Sequence, residues 1–291
     1  MTTHSATATR AEPMAAGAQT SARRQALFAY FGATFLISWG IELLLIASEN
    51  GWGGLALPPQ VHYLAAYGPM LAAILVTAWV TGGPGLRELW SRISRWRVGW
   101  GWWAIAVLSP AALFAIGVAA AVTMGGSVPD LALLGQVNYM PTLGWAAAWI
   151  FWFLTYGMGE EIGWRGFALP RLQYGRSAAW ATLVLGLVWA LWHLPAFFYL
   201  DTYQAMGLWM FPFLAVTIVC GNVVYTWIYN SSGGSVLMAI LFHASFNFFS
   251  ASAAGAGTVA IVMTAGVVAA SLIIPRVYGM ANLSRSPKQT L

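Results

Sequence analysis

Eight apolar runs of about 20 residues limit what this 291-residue chain can fold into more than any other feature. A helix needs about 20 apolar residues to cross the hydrocarbon core of a bilayer. The runs fall at roughly 27–47, 61–81, 101–124, 144–164, 177–199, 209–229, 236–253 and 258–275. With 59% hydrophobic residues and 7% charged ones, the chain lies outside the composition of soluble domains. A transmembrane barrel would show short segments of alternating polarity, and these runs are continuous. The expected fold class is all-α, a polytopic membrane bundle of about eight transmembrane helices.

The loops between the runs alternate in charge. Arg87, Arg92, Arg95 and Arg97 lie between runs two and three, Arg171 and Arg176 between four and five, and Arg276, Arg285 and Lys288 after run eight. The loops at 48–60, 125–143 and 200–208 contain no Lys or Arg but hold Glu49, Asp130 and Asp201. Positive loops stay on the cytoplasmic side, so both termini are expected there, which an even number of spans permits. The net charge of +5 is therefore a topology signal with membrane lipids as partner, not a nucleic-acid footprint. Residues 1–25, rich in Ala, Thr and Ser, read as a disordered cytoplasmic tail. Residues 26–275 read as the membrane domain, and 276–291 as a second cytoplasmic tail. Arg23 and Arg24 before an apolar run could open a signal peptide, but Leu27–Ala47 is long for one and more spans follow. Cys220 is the only cysteine and reads as a packing residue.

Against this apolar background, Glu160, Glu161 and Arg165 stand out at the end of run four. Charges at membrane depth cost about 2.5–3.5 kcal/mol each on insertion scales, so those that remain pair and mark function. Glu161 and Arg165 are four apart, with the acid first, the favourable order for a helical pair. Glu160 is rotated by about 100° and is left free to face a cavity. Glu160 lies sixteen residues before Arg176 and His193 seventeen after it. In an antiparallel helical hairpin the two meet at nearly one depth. His243 and Asn247, four apart on run seven, share a face at a similar depth. The motif core is thus 144–253. Glu42 on run one has no evident partner, and Asn222 on run six reads as interhelical glue.

Glu160 with His193 could hold and deprotonate a water, and His243 with Asn247 could donate to a developing oxyanion. That is equipment for peptide hydrolysis without a protein nucleophile. Glu160, His193 and His243 also supply the oxygen and nitrogen atoms that a divalent metal such as zinc takes, although no H-E-x-x-H is present.

These residues resemble the CAAX protease and bacteriocin-processing family of intramembrane proteases, also called Abi, which includes type II CAAX prenyl endopeptidases. The first motif, E-E-x-x-x-R, is Glu160-Glu161-Ile162-Gly163-Trp164-Arg165, followed by Gly166-Phe167. The second, F-x-x-x-H, is Trp189-Ala190-Leu191-Trp192-His193. The third, H-x-x-x-N or D, is His243-Ala244-Ser245-Phe246-Asn247. All three occur in order over 156–250, about a third of the chain. Trp189 departs from the family's Phe and is expected to change the shape of the pocket wall more than its chemistry. The resemblance implies an eight-helix bundle with an intramembrane cavity, Glu160 and His193 activating water, and His243 and Asn247 stabilising the oxyanion. Glu161, Arg165 and Trp189 would support them. It leaves the use of a metal open. It implies a membrane-tethered substrate, in some members a prenylated CAAX peptide, and in a bacterium a plasma-membrane location. Two other readings remain: a non-enzymatic bacteriocin-immunity or scaffold protein, and a proton-coupled transporter, since buried Glu, His and Arg also build proton relays.

Overall fold

The computed structural model describes residues 8–291, with side chains from Thr20 onward. Eight long helices follow one another, and among the described residues there is no strand. They are α1 (Ala8–Glu49), α2 (Gly68–Ile93), α3 (Trp100–Thr123), α4, α5 (Ala178–Trp192), α6 (Phe211–Ser231), α7 (Val236–Ser250) and α8 (Thr258–Tyr278). Each coincides with one apolar run. The rod α4 is α-helical over Trp145–Trp152, Met158–Gly163 and Leu169–Leu172, with π-helical turns over Phe153–Gly157 and Trp164–Ala168 between them. Such turns widen the helix locally and recur at functional sites; here they bracket Glu160 and Glu161.

Among the described residues, six helices are long and apolar enough to cross a membrane: Thr20–Glu49, Pro59–Ile93, Trp100–Thr123, Ala178–Phe198, Leu208–Ser231 and Thr258–Tyr278. They present large apolar side chains outward, such as Leu36 (78% exposed) and Trp79 (71%), as a lipid-facing surface should. The two remaining helices, the charged α4 and the 15-residue α7, are the inner ones. Most of α7 from Val236 to Ser245 is buried, as is α4 from Gly159 to Pro170. These two inner helices carry Glu160, Glu161, His243 and Asn247.

α4 approaches α2 and the turn before it closely because two glycines line the contact. A Cβ on Gly159 would lie 2.5 Å from the Ala66 carbonyl oxygen, and one on Gly163 2.6 Å from the Pro69 carbonyl carbon. This is the small-xxx-small packing of membrane helices, and it straddles the two glutamates. The structure differs from the sequence reading at two boundaries. The segment expected as a disordered tail is helical from Ala8, continuing the first span; its alanines favour that extension. Residues 1–7 of that tail lie outside the described residues. The fifth run ends its α-helix at Trp192 rather than Tyr199, because Pro195 lacks the N–H the next turn needs. Leu194–Phe198 forms a 3₁₀ turn instead, and His193 becomes the residue that caps α5.

The basic segments gather at one end. Arg23 donates to the Leu291 carbonyl oxygen at 3.0 Å and stacks on Tyr174, Arg95 donates to the Gly233 carbonyl, and the Leu291 amide meets the Pro170 carbonyl at 3.2 Å. Residues 279–291 therefore lie against the bundle instead of trailing from it.

Candidate active site

Glu161 and Arg165 are fully buried, and they form the expected ion pair at 2.9 Å. The pair is one part of a longer chain of contacts. His243 Nδ1 is 2.8 Å from Glu161 Oε1. Arg165 donates to the Asn222 side-chain oxygen, and the Asn222 amide donates to the Thr182 carbonyl. The guanidinium also lies over two rings, 4.2 Å from the centroid of Tyr225 and 4.8 Å from that of Trp189. One buried network therefore ties α4 to α5, α6 and α7. Asn222 is the glue its position suggested. Glu161 does more than neutralise Arg165: it fixes the ring of His243, as a carboxylate orients the histidine of a catalytic triad. A buried charge without partners would be strongly destabilising, and here each charge has at least one.

Glu160, 2% exposed, is held from a different direction. Trp189 Nε1 donates to its Oε2 at 2.6 Å, and Trp164 Nε1 reaches the same oxygen at 3.4 Å. Both hydrogen bonds fall on Oε2. This corrects the expectation for Trp189. Its departure from Phe adds an N–H that grips the candidate base, so it changes chemistry as well as shape. Trp164, one helical turn after Glu160, is a site residue the sequence reading passed over. The i,i+4 spacing was its only signal.

The tautomer of His193 follows from its neighbour. Its Nδ1 is 2.8 Å from the Trp189 carbonyl oxygen. A carbonyl only accepts, so Nδ1 carries the proton and Nε2 of the neutral ring holds a lone pair. His193 also lies parallel to Tyr203, with ring centroids 6.4 Å apart.

All four candidate catalytic residues line one cavity of about 480 Å³. Glu160 comes from α4, His193 from the end of α5, and His243 and Asn247 from α7. Glu160 and His193, which the hairpin arithmetic brought to one level, thus line the same cavity. Trp189, Tyr225, Phe242 and Phe246 form apolar wall beside them. Tyr139 enters the cavity from the loop before α4, and burial pushes its phenol above the ordinary range, so it stays protonated. The volume suits a short peptide segment with water.

Glu160, His193 and His243, the zinc-type set, share this cavity. Among the described residues, however, no three His, Cys, Asp or Glu side chains gather as a metal-binding group. Oε2 of Glu160 faces indole N–H groups, not an open coordination position. As placed, the three do not form a ligand set, and no step below runs through a metal.

Residues 142–249 match the family model described as type II CAAX prenyl endopeptidase Rce1-like. A protein named CAAX prenyl protease 2 from Methanococcus maripaludis is 28% identical over 149 residues, covering 48% of this chain and 52% of that protein. This chain thus spans about half the length of that curated relative. The segment that matches the family model contains Glu160, Glu161, Arg165, Trp189, His193, His243 and Asn247, so the family resemblance and the cavity coincide.

Proposed function

We propose that this protein is an intramembrane endopeptidase that hydrolyses a membrane-tethered peptide, with a prenylated CAAX-type peptide as the substrate class. The observation that carries the reading is the single cavity lined by Glu160, His193, His243 and Asn247. Supporting it, every hydrogen bond that holds the two histidines uses Nδ1, which leaves each Nε2 for the cavity.

The reaction follows from these groups. A water sits between Glu160 and His193 Nε2, and its oxygen attacks the scissile carbonyl carbon as Glu160 takes its proton. The carbonyl oxygen becomes an oxyanion, which accepts from the Asn247 amide and from His243. His243 donates through Nε2 when doubly protonated, with Glu161 balancing its charge. The C–N bond then breaks, and the proton held by Glu160 passes to the departing nitrogen. The products are a carboxylic acid on the tethered side and an amine on the released side; water supplies OH to one and H to the other. No residue of the protein is acylated. The walls exclude bulk water, which strengthens each of these electrostatic contacts.

The proposed orientation places the Arg-rich end in the cytoplasm, on the positive-inside rule, in the plasma membrane of a bacterial cell. The test is cleavage of a farnesylated C-terminal peptide by purified protein in lipid, with the cut located by mass spectrometry, beside membrane-tethered peptides lacking the prenyl group. Arms with and without a chelator report on metal use separately. Cleavage of a tethered peptide is the expected result. Folded protein that cleaves none of them, yet drives substrate-coupled proton flux in liposomes, would replace this reading with the transporter.

A further inference from the structure

Glu42 has no role in the reaction above, yet it is 1% exposed and lines the same cavity as Glu160. The partners missing from the sequence come from two distant segments. Tyr199, in the turn after α5, donates its hydroxyl to Glu42 Oε1 at 3.2 Å. The same hydroxyl oxygen is 2.6 Å from Nδ1 of His62, in the helical turn before α2. A phenol has one proton, and Glu42 receives it, so the second contact must be donated by His62 Nδ1. The chain therefore runs from His62 to Tyr199 to Glu42.

With Glu42 ionised, two atoms are left over, and both are acceptors. Glu42 Oε2 is buried and has no hydrogen-bond partner among the described residues. His62 Nε2, in the neutral ring, holds a lone pair. Glu42 and His62 both line the cavity that Glu160 lines. Beside His62 are the rings of Tyr139 and Tyr156, with centroids 5.1 Å and 6.0 Å away. Aromatic faces and a carboxylate are both favourable to a cation. An orphaned buried acceptor is destabilising, so this wall is poised for a ligand that brings donors.

We propose that Glu42 and His62 form a second subsite that accepts the N–H groups of a primary amine, namely the new amino terminus of the peptide released by hydrolysis. The inference rests on the peptidase reading, because that reaction makes such an amine within the same cavity. An ammonium carries a positive charge and several N–H donors, which suits a cavity wall that offers a carboxylate and an imidazole as acceptors. Tyr199 is a positioning residue: it sets the orientation of both acceptors without meeting the ligand.

The experiment measures binding of an unprenylated tripeptide with a free amino terminus and of its N-acetylated twin to wild-type protein in lipid nanodiscs. Both probes share the carboxyl terminus and side chains, so only the amine differs. Wild type is expected to prefer the free amine by about tenfold or more in Kd. Glu42→Gln should reduce that preference to within about threefold, and Tyr199→Phe should reduce it partway while keeping the carboxylate. Equal affinity for the two probes in wild type, failure to bind either at millimolar concentration, or an undiminished preference in both variants would overturn the proposal. Cleavage of a tethered peptide is scored separately on the same preparation. Wild type that cleaves but shows no amine preference refutes the subsite alone, and amine preference without cleavage supports the subsite while counting against the peptidase.

Discussion

Replacing Trp189 by Phe installs the residue that the family motif carries at this position, so a role in shape alone would leave activity intact. The geometry predicts otherwise. The Trp189 indole N–H lies 2.6 Å from Glu160 Oε2, while the remaining indole, that of Trp164, is 3.4 Å away. A hydrogen bond to a charged group contributes about 1.5–3 kcal/mol. At about 1.4 kcal/mol per tenfold, its loss at the step where Glu160 works corresponds to roughly 10- to 100-fold in kcat. KM should move little, because the phenyl ring keeps an apolar wall. The assay is steady-state cleavage of a fluorogenic membrane-tethered peptide in nanodiscs, with thermal unfolding of each variant as the fold control. Trp164→Phe serves as comparison; its longer bond predicts a smaller loss in kcat. A Trp189→Phe protein that is folded and within twofold of wild-type kcat would refute the claim that this indole grips the base. So would a larger loss in Trp164→Phe than in Trp189→Phe.

Three further outcomes follow from the packing and the buried charges. Glu161→Gln leaves Arg165 without its carboxylate and His243 without its anchor, and breaking a buried pair costs about 3–5 kcal/mol; thermal unfolding in detergent should show a large drop, along with lost cleavage. Gly163→Ala puts a methyl 2.6 Å from the Pro69 backbone, so α4 must move away from α2 and the melting temperature should fall. Gly221→Ala, where nothing lies within 4 Å of the added Cβ, should melt like wild type.

The eight helices were legible because runs of about 20 apolar residues in a bilayer leave few alternatives. The Glu161–Arg165 pair was legible from its four-residue spacing, and the meeting of Glu160 and His193 in one cavity from helical rise alone. What the sequence hid was the identity of partners across interfaces. Periodicity shows which face Glu160 occupies, but not that the Trp189 indole N–H meets it, nor that His243 crosses from α7 to Glu161. The partners of Glu42 were hidden because Tyr199 lies 157 positions away and His62 sits in a short helical turn outside the eight long helices. The π turns around Glu160 were hidden as well, since no residue type in α4 demands a wider helix. The early end of α5 was readable in principle from Pro195.

The most direct test of the central claim, that Glu160 activates the attacking water, compares Glu160→Gln with wild type for both cleavage and binding of one tethered peptide in lipid. The amide nearly matches the carboxylate in shape and can still accept from Trp189, but it cannot take a proton from water. The account predicts that cleavage falls by at least about a thousandfold, the upper range for general-base catalysis, with Kd for the peptide and the melting temperature close to wild type. Cleavage retained within about tenfold, in a protein folded and binding as before, would contradict it and move the base to another group.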